Sequence, residues 1–278
     1  MNKEKIIMIG IITIIIGILG IFYYQKYKME KDYKFQIYFF NAGKADAILL
    51  SKNNKYIMID TGEENLSKEI LNYFRQKNIT KLEYLIITHF DKDHVGSAAA
   101  IIRNIKIGKV LQSNVPKESE FYNAYITALE EKKITPKTIS GDNNIKVEDL
   151  EIIINGPTTI YPKKESNNSS LIVSIKDNKN KFLFTGDIQN ARLKDFVASN
   201  PTDYNFLKVP YHGNYLKRLE ELLKINRIQY AVITSSEEEK EDPKTLELLS
   251  KYQIKTYLTR NGSIKILSNG SDIKIRQN

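Results

Sequence analysis

Thr88-His89-Phe90-Asp91-Lys92-Asp93-His94-Val95-Gly96 places two histidines and two aspartates within six residues. An apolar run at residues 84–87 precedes the cluster and an Ala-rich stretch of helical period, residues 97–103, follows it, so it sits where a strand ends and a helix begins. Side chains alternate along an extended loop, which points His89 and Asp91 the same way, while Asp93 and His94 fall where the backbone turns. One loop can thus face two adjacent cations. Imidazole and carboxylate suit zinc, manganese or iron alike. The competing reading is a polar loop with an Asp-capped helix. It does not account for two of the chain's three histidines lying there.

The third histidine stands in Leu207-Lys208-Val209-Pro210-Tyr211-His212-Gly213-Asn214, again between an apolar run and a helix-period stretch, where α/β enzymes place their sites. A further strand, Phe182-Leu183-Phe184-Thr185, ends in Gly186-Asp187. That carboxylate either bridges two metals or caps the helix that begins near Gln189. Together these strand ends offer His89, Asp91, Asp93, His94, Asp187 and His212 as metal ligands. Water or substrate would complete the coordination of one or two ions.

Around them the chain mixes strands and helices throughout. Residues 35–40, 45–50 and 55–59 read as an opening β-meander, with Asn53-Asn54 as a turn. Helical periods fall at residues 66–76, 97–103, 118–132, 189–198, 215–223 and 243–252, and further strands at 151–154, 171–175, 181–185 and 229–234. So much strand without intervening helix between residues 150 and 186 excludes a plain doubly wound parallel sheet; two sheets with helices outside fit better.

At 278 residues, 41% hydrophobic and 27% charged, the chain has material for one large core or two small ones. It has no cysteine. Disulfides, thiolate zinc sites and a cysteine nucleophile are therefore excluded, and any metal is held by nitrogen and oxygen. The formal charge of +9, from 42 Lys and Arg against 33 Asp and Glu, favours anionic partners such as nucleic acid, phosphate-bearing polymer or lipid headgroups. The 17 tyrosines, mixed with lysine, would suit a groove for single strands, though tyrosines scattered among strands more often belong to a core.

Residues 6–24 are apolar apart from glycines and Thr13, which predicts an uncleaved membrane anchor at 1.5 Å per helical residue. Lys3 and Lys5 precede it, and Lys26, Lys28, Lys31 and Lys34 follow, a balance that leans toward a cytoplasmic domain. The expected organisation is a tail and anchor over 1–24, a linker over 25–34 and a single domain over 35–278.

Seven stretches resemble the metallo-β-lactamase superfamily, and within it the hydrolase domain of the ComEC-type DNA-uptake competence proteins. Asn41-Ala42-Gly43-Lys44-Ala45-Asp46-Ala47 is similar to that group's Asp-Val-Gly-Gln-Gly-Asp-Ala, and Ile59-Asp60-Thr61-Gly62 to its Asp-Thr-Gly. Residues 89–96 match His-x-Asp-x-Asp-His-x-Gly. Asn167-Asn168-Ser169-Ser170-Leu171, Thr185-Gly186-Asp187, Val209-Pro210-Tyr211-His212-Gly213 and Thr259-Arg260-Asn261-Gly262 follow in family order. Secreted phosphorylcholine esterases that trim teichoic acid share much of the pattern. Departures are Tyr211 for the first His of His-His-Gly, Ser97 for a second Gly, Lys44 and Ala45 for Gln-Gly, and Asp242 for a His before Pro243.

The resemblance implies an αββα four-layer sandwich after one transmembrane helix, acting outside the cell membrane as a zinc or manganese hydrolase by metal-activated water. Asp93, Asp60 and Tyr211 would assist catalysis, Asp60 by bracing the metal loop and Tyr211 by a hydrogen bond to substrate. Asp46 has a turn role or a functional one. Asp93, His94, Asp187 and His212 make a complete ligand set, whereas His89 and Asp91 lack a third protein ligand unless Asn167 or Asn168 serves. The expected substrate is a phosphodiester, DNA or other nucleic acid first and choline phosphate on cell-wall polymer second, with single-stranded DNA or teichoic acid as the anionic partner. The rival is a catalytically degenerate domain that binds anionic polymer.

Overall fold

The computed structural model describes residues 3–200 and 202–277, with side chains described except at residues 3, 4, 6, 8, 22, 25–31 and 163–165. Two compact units divide the chain, Met1–Lys34 and Phe35–Asn278. The first contains one helix, α1 (Lys3–Asp32).

The membrane anchor expected at residues 6–24, and with it the single-pass placement of an extracellular domain, is overturned. Among the described residues no helix is long and apolar enough to cross a membrane. Ile6, Met8 and Phe22 of the expected span lie outside the residues whose side chains are described.

In the second unit the strands are β1 (Phe35–Phe39), β2 (Ala47–Lys52), β3 (Lys55–Thr61), β4 (Lys81–Ile87), β5 (Lys106–Gln112), β6 (Lys137–Thr138), β7 (Gly141–Val147), β8 (Leu150–Gly156), β9 (Ile172–Asp177), β10 (Asn180–Phe184), β11 (Phe206–Lys208), β12 (Tyr230–Ile233), β13 (Lys255–Leu258), β14 (Ile264–Ser268) and β15 (Ile273–Gln277). The helices are α2 (Ser67–Gln76), α3 (Lys92–Val95), α4 (Ala98–Asn104), α5 (Glu120–Glu131), α6 (Asn190–Ser199), α7 (Leu219–Lys224) and α8 (Pro243–Lys251). Eight strands form one sheet in the order β15-β14-β1-β2-β3-β4-β5-β6, and seven form the other in the order β13-β12-β11-β10-β9-β8-β7.

Alternation along the strands builds three cores. Phe35, Ile37 and Phe39 of β1 turn inward between the sheets, where Phe182, Phe184 and Phe206 meet them; the Phe35 and Phe182 rings pack edge to face at 5.3 Å. Leu49, Met58, Leu82 and Leu85 face the other way, onto Ile70 and Phe74 of α2, Ile101 of α4 and Tyr125 of α5. On the far side Leu183, Leu207 and Ala231 pack against Leu193, Leu219 and Leu249 of α6, α7 and α8. Each buried side chain of this size stabilises by roughly 1.5–3 kcal/mol. The layering is helix, sheet, sheet, helix, as expected.

Each sheet has an antiparallel half and a parallel half. β3, β4, β5 and β6 run parallel, as do β10, β11, β12 and β13. Parallel strands need crossovers, and helices cover those halves. The Asn53-Asn54 turn has φ of 48° and 54's is 61°, the left-handed pair that a two-residue hairpin favours. β14 and β15 extend the first sheet beside β1, pairing Ile37 with Ile266; their register depends on a partner at the opposite end of the unit, which local sequence does not reveal.

Candidate metal centre

The strand ends expected to carry chemistry meet at the seam between the sheets. After β4, Asp91 starts α3, but its side chain makes no capping bond; its carbonyl accepts from His94 N–H at 2.9 Å and Val95 N–H at 3.0 Å. This single turn projects Asp93 and His94 toward the second sheet. Gly96 lets it approach so closely, since a Cβ there would lie 2.5 Å from Lys92 O and 2.6 Å from Glu64 N.

From the second sheet, Asp187 follows β10 and His212 follows β11. Asp187 does not cap α6: Asn168 Oδ1 takes that role, accepting from Gln189 N–H at 2.8 Å. Asn168 is therefore committed elsewhere, and its amide oxygen is not the spare ligand expected of it. Beyond Pro210 three successive residues are left-handed, Tyr211 at φ 52°, His212 at 50° and Gly213 at 76°. Non-glycine residues in this region carry about 1–3 kcal/mol of strain each, a cost typical of functional loops.

One ligand atom from each of Asp93, His94, Asp187 and His212 lies within 4.8 Å of the others. His212 Nε2 is 3.0 Å from Asp187 Oδ2 and 3.1 Å from Asp93 Oδ2, and His94 Nε2 is 3.5 Å from Asp187 Oδ1. His89 adjoins them, its ring centroid 4.1 Å from that of His94. Asp91 stands at the rim, Oδ1 3.8 Å from His89 Nε2. The six expected ligands are thus neighbours, four in one tight cluster and two beside it.

His89 Nε2, His94 Nε2 and Asp187 Oδ1 are buried without a hydrogen-bond partner among the described residues. Orphaned buried polar atoms are costly, and three in one place, all of ligand type, fit a divalent cation. The charge balance agrees. Burial disfavours the His94 imidazolium, yet Asp187, Asp60 and Asp93 outweigh it and hold its pKa well above the ordinary value. Burial likewise opposes the His212 imidazolium, but Asp187 and Asp93 push its pKa up to about 9. Burial works against the Asp187 carboxylate too, and His212 and His94 overcome it, keeping the pKa well below normal. His89 goes the other way, lowered by burial and then by His94. A cation held among these groups would compete with protons for the two imidazoles.

Behind the ligands lies a buried brace. Asp60, left-handed at φ 54°, accepts from Thr88 N–H at 2.7 Å and Thr88 Oγ1 at 2.6 Å, and its Oδ2 lies 2.8 Å from His94 Nδ1. A carboxylate only accepts, so His94 donates from Nδ1 and leaves Nε2 for a cation. Thr234 does the corresponding work for His212, its Oγ1 2.9 Å from Nδ1 while donating to Asp46 Oδ1 at 2.7 Å. Asp46, whose role the sequence left open, thus joins the two sheets beneath the centre.

Lys208, Thr234 and Lys117 escaped the sequence reading. Lys208 is fully buried, 2.5 Å from Asp46 Oδ2 and 3.6 Å from Asp187 Oδ1. Burial disfavours its ammonium, but Asp46 and Asp187 outweigh that and raise its pKa. A signal existed: β11 alternates, so Lys208 shares the inner face with Phe206. Lys117 bonds Asp91 Oδ1 at 2.6 Å in a cleft of ≈ 520 Å³, lined also by His89, Tyr122, Asn123 and Ser169. Tyr211, expected to reach substrate, packs its ring partly buried against the core under α6, α7 and α8.

A family model described as the metallo-beta-lactamase superfamily matches residues 41–234. The chain is 24% identical over 207 residues to ComE operon protein 3 of Bacillus subtilis, covering 71% of this chain and 26% of that protein. It is 28% identical over 200 residues to Recombination protein 2 of Haemophilus influenzae, covering 70% and 23%. The chain thus spans about a quarter of the length of either relative. Among solved structures, the metallo-beta-lactamase fold protein YhfI from Bacillus subtilis superposes with a TM-score of 0.52 at 11% identity, covering 87% of this chain and 100% of that one, a likeness of fold.

Proposed function

The chain belongs to the metallo-beta-lactamase superfamily, and on that footing we propose that it is a metal-dependent hydrolase that cleaves phosphodiesters in an anionic polymer, single-stranded DNA first. The observation that carries this is the convergence of Asp93, His94, Asp187 and His212, from two sheets, within 4.8 Å.

When bound, a divalent ion stabilises developing negative charge and lowers the pKa of a water so that hydroxide is available near neutral pH. The chain's residues do the rest. Asp93, His94, Asp187 and His212 would hold the ion; Asp93, its side chain 22% exposed against 4% or less for the other three, is the one open to incoming substrate. Asp60 and Thr234 fix the rings of His94 and His212 through Nδ1, and such supports typically contribute 10–100-fold in metal affinity or activity. Lys208 balances Asp187 and Asp46 from behind. Lys117 lines the cleft beside the centre, paired with Asp91, and the net charge of +9 draws polyanions to the protein.

The test uses the full chain. Bound metal is quantified, and turnover of bis(p-nitrophenyl) phosphate, p-nitrophenyl phosphorylcholine and single-stranded DNA is measured with manganese or zinc, beside a His94→Ala control. Stoichiometric metal, with phosphodiester turnover abolished in the control, is the expected result. Turnover of the choline ester alone would replace the substrate assignment. Absence of metal and turnover together with salt-sensitive DNA binding would overturn the hydrolase in favour of a binder.

A further inference from the structure

Lys117 occupies an unusual position for a surface lysine. Its Nζ lies 2.6 Å from Asp91 Oδ1, the same oxygen that faces His89 Nε2 at 3.8 Å. His89 is 1% exposed and its Nε2 has no hydrogen-bond partner among the described residues, so a ligand atom is aimed at this spot. A second divalent ion, beside the one that Asp93, His94, Asp187 and His212 would hold, would draw on His89 Nε2 and the Asp91 carboxylate. That carboxylate already carries an ammonium of the chain itself.

The loop that presents Lys117 is fastened at both ends. Ser113 Oγ donates to Ser169 O at 2.8 Å and its oxygen accepts from Val115 N–H at 3.4 Å. Ser119 caps α5, accepting from Tyr122 N–H at 3.2 Å. Short tethers on either side keep the lysine over Asp91. Asn168 Oδ1 is no ready replacement ligand, because it accepts from Gln189 N–H and Arg192 N–H.

We propose that Lys117 is a built-in latch on the second cation position: with its ammonium on Asp91, the centre takes one divalent ion. This rests on the metal-centre reading above and specifies its stoichiometry. The size of the effect follows from charge. A unit positive charge about 4 Å from a divalent ion, even screened as in bulk water, changes ion affinity by roughly thirtyfold. An ion pair with its lysine 39% exposed holds less firmly than a buried one, so about tenfold is the lower expectation.

The full chain, stripped with chelator, is titrated with zinc alone by calorimetry, and retained zinc is counted by elemental analysis after desalting. The wild-type chain is expected to hold one ion, any second being at least about tenfold weaker. Lys117→Met should take two, Lys117→Arg should stay at one, and Lys117→Met with Asp91→Asn should return to one. Circular dichroism checks that each variant folds. Two equally tight ions in the wild-type chain, or one in Lys117→Met, would overturn the latch and leave the four-residue centre standing. A wild-type chain that takes up no zinc overturns the centre and the latch together.

Discussion

Replacing Asp60 by asparagine isolates what its carboxylate does. Asparagine keeps the shape, tolerates the left-handed backbone at φ 54°, and preserves the bond from Thr88 N–H to Oδ1. At Oδ2, however, an acceptor shared by Thr88 Oγ1 at 2.6 Å and His94 Nδ1 at 2.8 Å becomes an NH₂ donor. The Thr88 hydroxyl can rotate to accept. The imidazole has no such freedom: to accept at Nδ1 it must carry its proton on Nε2, the atom needed by the cation. Losing one charge-assisted bond predicts about 1.5–3 kcal/mol of stability lost in the metal-free chain, and a further 10–100-fold loss of metal affinity, about 1.4–2.8 kcal/mol. Urea unfolding in chelator, zinc calorimetry and nitrogen NMR of His94 measure the three effects separately. Asp60→Asn unfolding at the wild-type midpoint with wild-type zinc affinity would refute the reasoning.

Other perturbations probe the parts around it. Gly96→Ala sets a Cβ 2.5–2.8 Å from three backbone atoms of residues 63, 64 and 92. It should cost about 1–3 kcal/mol as an overpacking and weaken zinc binding, as calorimetry and urea melts would show. Lys208→Met takes from buried Asp46 its nearest counter-charge, 2.5 Å away, and should cost about 3–5 kcal/mol; adding Asp46→Asn should recover part of that in the same urea melts. Glu241 gives a pH prediction away from the centre. Burial opposes its carboxylate, but its own backbone N–H and Arg260 outweigh it and lower the pKa from 4.5. A lowered carboxylate contributes stability that is complete above pH 4.5 and is lost as pH falls through the folded-state value. Glu241→Gln should therefore flatten the acid side of the stability profile while reducing stability at pH 7.

Much of the layering was legible because central strands such as β2 and β10 are buried on both faces, strands nearer an edge such as β8 on one, and helices on one, so apolar runs, alternation and helical period all survive in the sequence. The run from His89 to His94 was legible for a second reason, its ligands being neighbours in the chain. Asp187 and His212 were readable through a rule of place, since both end strands, and the motif resemblance holds at the level of the superfamily and its ComEC-like relatives. Contacts between the sheets were not readable. Asp46 and Thr234 bond across 188 positions, and nothing near Asp46 names that partner. Lys117 escaped for a related reason, because its pairing with Asp91 depends on how two serines fasten an irregular loop. Residues 6–24 show the opposite error: an apolar composition was read as a span, and the described helix does not supply one.

The junction of the sheets gives the centre a mechanical part. Its grip comes half from the end of β4 and half from the ends of β10 and β11, so one ion would clip positions 93 and 212, 119 residues apart in sequence. Closing so long a loop removes much of the freedom an open chain would gain on melting. An ion-loaded chain should therefore come apart in one concerted event, both halves letting go together, and neither half alone would have enough fingers to keep hold of the ion.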